Sequence, residues 1–496
     1  MYLLGYDIGS SSIKASIIDA KTGETLAICQ KPASEMSIQA PQNDWAEQDP
    51  QTWWEYICEA TQSLIQENQI DKAAIKSIGI AYQMHGLVLV DKDHNLLRPA
   101  IIWCDSRAVE IGRKAFNELG NKKCLAHLLN SPGNFTASKL KWVKDNEPEV
   151  YSKIYKLMLP GDFIAMKLSG EINTTISGLS EGMLWDFINN EPAQFVMDYY
   201  SFSNEMIPTI KPTFSIQGKV NEKGAEESGL QQGTAITYRA GDQPNNALCL
   251  NVLKPGEVAA TGGTSGVVYG VVDQAIYDQA SRVNGFAHVN YSSSNPRIGI
   301  LLCINGAGIQ YSWIRKFLAE KNTSYQVMEK ALREIPIGSE GLRILPFGNG
   351  AERMLEDKSI GSQVNNLQFN RHTNIHFYRA SLEGIAFSFV YGMQILKDMG
   401  LDVQVIRVGN DNLFQSNVFA TTIASLMNAR IEMLDCTGAV GAAKASGIAI
   451  GIYKDLEDAL GSTQIVKEYQ PNNNIDYKKA YDHWLEDLKR ALNEKL

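Results

Sequence analysis

Two short turns contain the residue types that bind phosphate without a basic side chain. Residues 7–19 read DIGSSSIKASIID, and residues 261–273 read TGGTSGVVYGVVD. A turn with glycine and hydroxyl residues at its tip exposes several backbone N–H groups in one small concavity, which is a phosphate-binding arrangement. In one common frame the aligned residues are Gly9, Ser10 and Ser11 against Gly263, Thr264 and Ser265. One such turn is most simply a hairpin, but two in the same frame predict a duplicated unit that holds a nucleotide from both sides.

An aspartate stands directly before the first turn. A carboxylate at the position of Asp7 can hold a Mg²⁺ ion on a phosphate bound by the turn. The structural alternative is an Asx-turn hydrogen bond to its own hairpin, and the two roles are compatible. The chain contains neither G-x-x-x-x-G-K-[ST] nor G-x-G-x-x-G, which argues against a P-loop and against a Rossmann dinucleotide site.

The overall composition excludes several classes of partner. The chain has 496 residues, which predicts two or more domains, and a formal net charge of −9. An acidic protein is not drawn to nucleic acid or to an anionic membrane surface.

The seven cysteines include no CxxC pair, so we expect neither a zinc site nor a disulfide framework, and we expect a reducing, cytoplasmic setting. We also expect no signal peptide and no membrane span, because the start lacks a basic region and no apolar run is long enough.

The elements that must position the turns alternate between strands and helices. The first turn lies between two strand-like runs, and a third strand is predicted after AKTGE. Residues 50–68 show helical periodicity after the start signal Asp49–Pro50. Residues 75–91 read as an apolar strand interrupted by QMHG. The second half repeats this order, which predicts two α/β domains with a cleft between them; we place the boundary near Ala240, giving domains 1–240 and 241–496.

The paired turns resemble those of the actin-like ATPase superfamily, and the other motifs resemble the FGGY carbohydrate kinases, in particular their xylulokinase branch. The resemblance extends over essentially the whole chain, with the motifs in the order of the family. It implies an α/β fold of two actin-like (ribonuclease H-like) domains around a central catalytic cleft. The matching segments are QMHG at 83–86, LRPAIIWCDSR at 97–107, KLKWVKDNEPEVY at 139–151, LPGDFIAMKLSGE at 159–171, AGDQPNNA at 240–247, GGTSG at 262–266, RASLEGIAF at 379–387 and GAVGAAKASG at 438–447.

The resemblance implies roles for residues of the cleft. Asp242 matches the catalytic aspartate of the family, the base for a sugar hydroxyl, and a helix N-cap is its structural alternative. Asp7 matches the acid that orients Mg²⁺, expected here to act through water. Met84 and His85 match the sugar-contacting pair, and Gln83 is a further candidate for the same wall. A histidine at the end of an apolar strand is otherwise an ordinary core or turn residue.

For ATP, the resemblance implies contacts from both turns and from two further segments. The turn residues are Gly9, Ser10, Ser11, Gly263, Thr264 and Ser265. NGAGIQYSWIRK at 305–316 resembles the nucleotide-contacting helix, which brings Gly306 and Gln310 near the base or ribose; an amphipathic helix that begins at glycine is the alternative. VGNDNLFQSN at 408–417 stands where the family has a glycine run. Gly409 persists there, Asn410 and Asp411 replace glycines, and we expect Gly409 and Asn410 to contact the nucleotide.

The resemblance therefore implies an ATP- and Mg²⁺-dependent kinase that phosphorylates D-xylulose. Its partners are then a free sugar and ATP, without nucleic acid or membrane, and a homodimer is the common state of the family. Gln243 departs from the asparagine of many xylulokinases and matches the glycerol kinase branch, so glycerol, L-ribulose or sedoheptulose is the first alternative acceptor. A more distant alternative is an actin- or chaperone-like ATPase that switches a protein partner. QMHG and AGDQ argue against it, because such a protein needs no sugar-binding wall.

Overall fold

The first half of the chain builds a mixed sheet around the first predicted turn. The computed structural model describes residues 1–493. The strands of this sheet are β1 (Tyr2–Ile8), β2 (Ile13–Asp19), β3 (Thr25–Lys31), β4 (Ile75–Tyr82), β5 (Phe214–Lys219) and β6 (Ala235–Gly241). Their order is β5-β6-β4-β1-β2-β3. The central strands β1, β4 and β6 are parallel, and the remaining neighbours pair antiparallel.

The second half builds a second sheet around the second turn. Its strands are β7 (Glu257–Gly262), β8 (Gly266–Val272), β9 (Asn284–Ala287), β10 (Ile298–Ile304), β11 (Val405–Gly409), β12 (Arg430–Leu434) and β13 (Ile465–Tyr469). Their order is β9-β10-β8-β7-β11-β12-β13.

The two sheets repeat one topology. In each, an antiparallel hairpin that carries a predicted phosphate turn (β1–β2 and β7–β8) borders two parallel strands (β4 and β6, β11 and β12). A last antiparallel strand, β5 or β13, then closes that side of the sheet. A third antiparallel strand, β3 or β10, lies on the other side of the hairpin. The mixed α/β architecture predicted from the sequence is therefore confirmed.

Helices connect and cover these strands. They are α1 (Pro50–Glu67), α2 (Val109–Leu119), α3 (Asn121–Leu128), α4 (Thr136–Asn146), α5 (Pro148–Tyr151), α6 (Pro160–Ser169), α7 (Ile176–Glu181), α8 (Gln194–Tyr200), α9 (Glu222–Ser228), α10 (Asp242–Cys249), α11 (Gly308–Leu318), α12 (Tyr325–Ala331), α13 (Asn374–Asp398), α14 (Asn417–Met427), α15 (Gly438–Ser446), α16 (Leu456–Leu460) and α17 (Ile475–Asn493). Helix α1 begins where the sequence predicts it, because the Asp49 side chain accepts a hydrogen bond from the Gln51 N–H at 2.9 Å.

Short strands and single 3₁₀ turns complete the fold. The strand pairs are Glu47–Gln48 with Ala100–Ile101, Val88–Val90 with Lys156–Met158, Asn173–Thr174 with Thr209–Ile210, Trp185–Asp186 with Glu191–Pro192, and Arg343–Phe347 with Gly361–Asn365. The 3₁₀ turns are Lys72–Ala74, Asn204–Met206, Leu332–Glu334, Ser339–Gly341, Arg353–Leu355 and Asn412–Gln415. Within the described part of the chain, none of the helices has the length and apolar content that a membrane span requires.

Helix α15, from the second half, packs on the first sheet. A Cβ atom at Gly5 of β1 would lie 1.9 Å from the carbonyl oxygen of Ala439, and one at Gly79 of β4 would lie 2.0 Å from that of Ala442. Both strands need glycine at these points for the helix to approach. The halves are therefore joined across the cleft floor, and the boundary near Ala240 stays a prediction.

One cysteine pair corrects the expectation from the sequence. The Sγ atoms of Cys249 and Cys436 form a disulfide, with the Cα atoms 6.0 Å apart. The end of α10 meets the loop before α15 at this point, although the two cysteines are 187 positions apart along the chain. Spacing along the sequence gives no signal for such a pair, so the expectation that no disulfide framework is present did not foresee this one bond.

Candidate active site

The residues predicted for catalysis and for sugar contact meet at one edge of the first sheet. The parallel strands β1, β4 and β6 end in register, with Ile8 opposite Tyr82 and Tyr82 opposite Gly241. Side chains at or just after these ends lie together, because the carboxyl ends of parallel strands share one edge of a sheet. The residues brought together in this way are Asp7, Gln83, Met84, His85 and Asp242.

Two carboxyl groups in this cluster lie close to each other. Asp242 is the first residue of α10, and Gly241 holds the N-cap position, so the N-cap alternative for Asp242 does not apply. Burial and then the charge of Asp7 raise the pKa of Asp242 to about 7. Burial also raises the pKa of Asp7, and the charge of Lys14 partly opposes that shift. A carboxyl group with a pKa near neutrality suits a general base at physiological pH.

Helix α15 closes the space beside Asp7. A Cβ atom on Gly438, the first residue of this helix, would lie 2.4 Å from Asp7 Oδ2. Asn245 of α10 donates a hydrogen bond from Nδ2 to the Gly438 carbonyl oxygen at 2.9 Å. The helix that begins with the predicted base is therefore tied to the helix that confines the other acid.

The imidazole of His85 is fixed in orientation and protonation. Its backbone lies in the left-handed region, with φ of 61°. Nδ1 is 3.0 Å from the carbonyl oxygen of Glu181, and since a carbonyl oxygen only accepts, Nδ1 carries the proton and Nε2 is left as an acceptor. The ring packs edge-on against Phe135, with centroids 4.6 Å apart. Burial and then the charge of Lys139 lower the pKa of His85 to about 3, so the ring is neutral.

A buried lysine supports the turn that contains Met84 and His85. Lys139 Nζ donates hydrogen bonds to the carbonyl oxygens of His85 at 2.8 Å and Ile102 at 2.9 Å. Burial lowers the pKa of Lys139 to about 7. The N–H of Gln83 donates to the Ile8 carbonyl oxygen at 2.7 Å, which continues the pairing of β1 with β4. The turn that is predicted to contact the sugar is thus held by its own backbone and by one buried side chain.

The first phosphate turn, residues 9–11, is braced within its own half of the protein. The N–H of Gly9 donates to the Ser12 carbonyl oxygen at 3.1 Å. Trp103 Nε1 donates to Ser10 Oγ at 3.3 Å, and Gln48 Nε2 donates to the Ser10 carbonyl oxygen at 2.7 Å. Trp103 is 53% exposed, so it borders the cleft and is not a core residue.

The second phosphate turn, residues 263–265, is held by the start of a helix. The N–H groups of Gly308 and Ile309, the first residues of α11, donate to the carbonyl oxygens of Gly263 and Thr264, both at 3.0 Å. A Cβ atom on Gly308 would lie 2.3 Å from the Gly263 oxygen. This close approach needs glycine, and it makes the turn and α11 one unit.

A cavity of about 710 Å³ opens beside the second turn. It is lined by that turn, by α11 and α12, and by residues 412–416, apart from Phe414. The stacked rings of Tyr311 and Tyr325, with centroids 5.5 Å apart, belong to its wall. This volume is that of a drug-sized ligand site, which is large enough for the base and ribose of a nucleotide.

Two residues predicted on α11 and before it lie beside this cavity and do not line it. A Cβ atom on Gly306 would lie 1.7 Å from the Pro346 carbonyl oxygen, so Gly306 packs against the strand Arg343–Phe347. Gln310 Nε2 donates to Ser381 Oγ at 2.9 Å, which turns this side chain toward α13. The cavity wall is formed instead by Ile309 and Ser312 of the same helix.

Gly409 and Asn410, in the segment 408–417 that stands where the family has a glycine run, also do not line the cavity. Gly409 ends β11, and the N–H of Asn410 donates to the Leu434 carbonyl oxygen at 3.0 Å. The part of the loop that reaches the cavity begins at Asn412. Contacts of Gly306, Gln310, Gly409 and Asn410 with a nucleotide stay predictions.

The sequence analysis missed two buried ionisable residues of this site, Lys139 and Glu181. Glu181 ends α7, is 1% exposed, and lies next to Met84 and Gly241. Each is a charged residue inside a short segment that is otherwise small or apolar, SGLSEGM for Glu181 and TASKL for Lys139. That pattern is the available signal, since a fully buried charged residue needs a partner or a ligand.

The acids of the site offer oxygen ligands of the kind that Mg²⁺ prefers. The charge of Asp7 raises the pKa of Asp242, and a divalent cation bound at Asp7 would relieve that repulsion. Among residues 1–493 there is no group of three or more histidine, cysteine, aspartate or glutamate side chains that could hold a metal ion. A magnesium ion here has to complete its shell with water and phosphate oxygens, which is its usual behaviour.

Comparison with known proteins gives matches over almost the whole chain. Models of the N-terminal and C-terminal domains of the FGGY family of carbohydrate kinases match residues 2–249 and 258–450. A xylulose kinase of Bacillus subtilis (strain 168) is 27% identical over 515 residues, covering 99% of this chain and 98% of that protein. The xylulose kinase structure from Rhodospirillum rubrum matches with a TM-score of 0.89 and 23% identity, covering 100% of this chain and 99% of its own. The Plasmodium falciparum glycerol kinase structure with ADP has a TM-score of 0.89 and 20% identity, covering 99% and 98%.

Proposed function

The chain belongs to the FGGY family of carbohydrate kinases and is a sugar kinase, and we propose that it transfers the terminal phosphoryl group of ATP to the terminal hydroxyl of D-xylulose. The observation that carries this proposal is the meeting of Asp242, Met84 and His85 at the in-register ends of β1, β4 and β6. This arrangement offers a base, an apolar surface and a neutral hydrogen-bond acceptor within one pocket.

Asp242 acts as the general base in this proposal. Its carboxylate accepts the proton of the sugar hydroxyl while the hydroxyl oxygen forms a bond to the γ-phosphorus. The bond from that phosphorus to the bridging oxygen breaks, and ADP leaves. A pKa of about 7 keeps a large fraction of Asp242 ionised at neutral pH and still allows it to hold the proton.

The His85 ring orients the sugar. Because its Nδ1–H is donated to the Glu181 carbonyl oxygen, Nε2 accepts a hydrogen bond from a sugar hydroxyl and does not donate to the ketone. Met84 offers apolar atoms to the carbon chain beside it. These roles fix which face of the sugar meets the base.

ATP binds along the second turn in this proposal. The adenosine part occupies the cavity of about 710 Å³ beside α11 and α12, and the phosphates extend past Gly263 and Thr264 toward the first turn. Asp7, through water, holds a Mg²⁺ ion that neutralises charge on the phosphates when it is bound. Closure of the cleft excludes water, so that ATP is not hydrolysed in place of transfer.

The choice of D-xylulose is supported by relatives named xylulose kinase. Gln243, next to the base, keeps glycerol, L-ribulose and sedoheptulose as the second candidate acceptors, and a glycerol kinase is among the proteins of similar fold. A homodimer and a cytoplasmic location stay predictions from the family resemblance.

The test is a coupled ADP-release assay with Mg·ATP and a panel of D-xylulose, L-ribulose, sedoheptulose and glycerol. The expected result is a kcat/KM for D-xylulose at least about tenfold above that of any other acceptor, the discrimination that one well-placed hydrogen bond supplies. A preference for another member of the panel transfers the proposal to that acceptor. Sugar-independent ADP release at the same rate contradicts it.

A further inference from the structure

Glu181 is a buried carboxyl group without a hydrogen-bond partner. It is 1% exposed. Within the described residues, no group donates a hydrogen bond of ordinary geometry to Oε1 or Oε2, although the Tyr82 hydroxyl lies near enough to favour the ionised form. Burying a carboxyl group without partners costs free energy. Such a group in a native fold indicates a missing partner.

The Glu181 side chain borders the proposed sugar pocket. A Cβ atom on Gly241 would lie 2.7 Å from Glu181 Oε2 and 2.6 Å from Met84 Cγ. Gly241 directly precedes Asp242, so the carboxyl group lies beside the base. The carbonyl oxygen of Glu181 also accepts the hydrogen bond from His85 Nδ1 at 3.0 Å. Three residues proposed to meet the sugar therefore converge on this one acid.

Helix α7, which ends at Glu181, is anchored to the second half of the protein. Ser177 Oγ donates to the Ala287 carbonyl oxygen at 2.9 Å, and the Ala287 N–H donates to Ser180 Oγ at 3.0 Å. Ala287 belongs to β9 of the second sheet. A short helix anchored in this way cannot easily turn its last side chain away from the pocket.

The charge environment of Glu181 favours a neutral ligand group. Burial and then the charge of Asp242 raise the pKa of Glu181 well above its usual value. The charge of Lys139 opposes this rise only in part, and Lys139 Nζ donates its hydrogen bonds to the carbonyl oxygens of His85 and Ile102 instead of to the Glu181 carboxyl group. A protonated carboxyl group both donates and accepts a hydrogen bond, and so does a hydroxyl group. The missing partner that fits is a hydroxyl of an uncharged polyol.

We propose that Glu181 is a specificity-determining residue of the sugar pocket, whose carboxyl group exchanges hydrogen bonds with one secondary hydroxyl of the acceptor. The inference rests on the proposed function, since it takes the acceptor to bind against Met84, His85 and Asp242. The inference goes beyond that function because it makes Glu181 the residue that discriminates between acceptors differing at a single stereocentre.

The test compares Glu181→Gln with Glu181→Met. Glutamine keeps the shape and can still donate and accept, so we expect kcat/KM for D-xylulose within about threefold of the wild type. Methionine keeps the volume and removes both functions, and we expect about a 30-fold lower kcat/KM, the effect of one strong hydrogen bond. The KM for ATP should stay within about twofold in both variants, because Glu181 lies beside Gly241 and does not line the cavity next to the second turn. If Glu181→Met is unstable, Glu181→Ala takes its place.

The acceptors D-ribulose and L-ribulose identify the hydroxyl concerned. They differ from D-xylulose in configuration at one carbon each, at C3 and at C4. Wild-type enzyme should discriminate against both, and Glu181→Met should lose about tenfold or more of its discrimination against one of them. An unchanged ratio of kcat/KM values among the three ketoses in Glu181→Met overturns the proposal.

A second buried acid provides the control for a purely structural effect. Glu383 accepts hydrogen bonds from Ser339 Oγ and Arg379 Nε on the far side of α13. Glu383→Gln should lower the melting temperature and leave the ratios among ketoses unchanged. Failure of the wild type to phosphorylate any ketose would overturn the proposed function itself, whereas wild-type activity with unaltered ratios in the Glu181 variants overturns only the role of Glu181.

Discussion

The two hairpins share a topology and differ in what they present to the cleft. In their common frame Asp7 of β1 aligns with Thr261 of β7, so only the first hairpin carries a carboxyl group at this position beside its turn. The first turn is braced by exposed Trp103 and by Gln48 from its own half. The second is bound to the first residues of α11 and opens on the large cavity. The two hairpins keep one backbone topology, and in the proposed function their side chains differ in role, the first supplying a carboxyl group and the second contacting the nucleotide.

The same division holds at the helices that follow the parallel strands. Helix α10 follows β6 and begins with Asp242, whereas α15 follows β12 and begins with Gly438. Asp242 supplies a carboxyl group at the first position of its helix. Gly438 has no side chain at the same position, because Asp7 Oδ2 occupies the space that a side chain would need. The position that we propose to be catalytic in one half is therefore a packing position in the other.

The largest expected effect comes from removing the acid that only one half carries. We expect Asp242→Asn to lower kcat by about 10³-fold, since the amide cannot accept the hydroxyl proton. Binding of ATP and sugar should be nearly unchanged in equilibrium titrations. Asp435→Asn, an exposed acid just after β12 in the other half, is the matched control and should keep wild-type turnover. Near-normal kcat in Asp242→Asn removes this residue as the base.

A smaller effect is expected at the aligned pair Asp7 and Thr261. Asp7→Asn should lower kcat by about 10²-fold and raise the Mg²⁺ concentration needed for half-maximal rate, because a neutral amide holds the cation poorly. Thr261→Val should change either quantity by less than about threefold, since Thr261 makes one long hydrogen bond of 3.4 Å with Asn246. Both values come from rates measured over a Mg²⁺ series at saturating sugar. Equal effects at the two positions contradict the division of work between the hairpins.

The hairpins and their strands could be predicted from the sequence because their information is local. Apolar runs, a glycine-containing tip and the Asp49–Pro50 start signal each lie within a few residues of the element that they specify. The cluster of Asp7, His85 and Asp242 was also predictable, through motifs at the strand ends. These features need no knowledge of which helix packs on which sheet.

The remaining features depend on contacts between distant segments. Gln310 and Ile309 are neighbours in sequence, yet a rotation of about 100° per residue turns one toward α13 and the other toward the cavity. The bond between Cys249 and Cys436 and the approach of Glu181 to Gly241 likewise follow from the packing of α7, α10 and α15. Periodicity and spacing carry no record of such pairs, so the sequence alone does not reveal them.

The pH dependence of the reaction should report the acid pair of the first half. The ionised form of Asp242 is the active base, so kcat/KM for the sugar should fall as pH decreases through the pKa of about 7. At pH 6 the value should be about tenfold below its plateau at high pH. In Asp7→Asn this limb should move to lower pH, because the like charge that helps raise the pKa is gone. Thr261→Val should leave the apparent pKa of this limb unchanged. If the wild type, Asp7→Asn and Thr261→Val all show the same apparent pKa, the titrating group is not Asp242.

The smallest effects should come from the residues that support the two turns, Trp103 for the first and Gly308 for the second. Comparing their effects on the KM for ATP shows which turn contributes more to nucleotide binding. Gly308→Ala places a Cβ atom 2.3 Å from the Gly263 carbonyl oxygen, so the second turn must shift; overpacking of about 1 kcal/mol corresponds to about a fivefold higher KM for ATP. Trp103→Phe removes only a long, exposed hydrogen bond to Ser10, and less than about a twofold change is expected. The KM for the sugar serves as the internal control in both variants. A larger rise in the ATP KM for Trp103→Phe than for Gly308→Ala would reverse the ranking and make the first turn the main nucleotide contact.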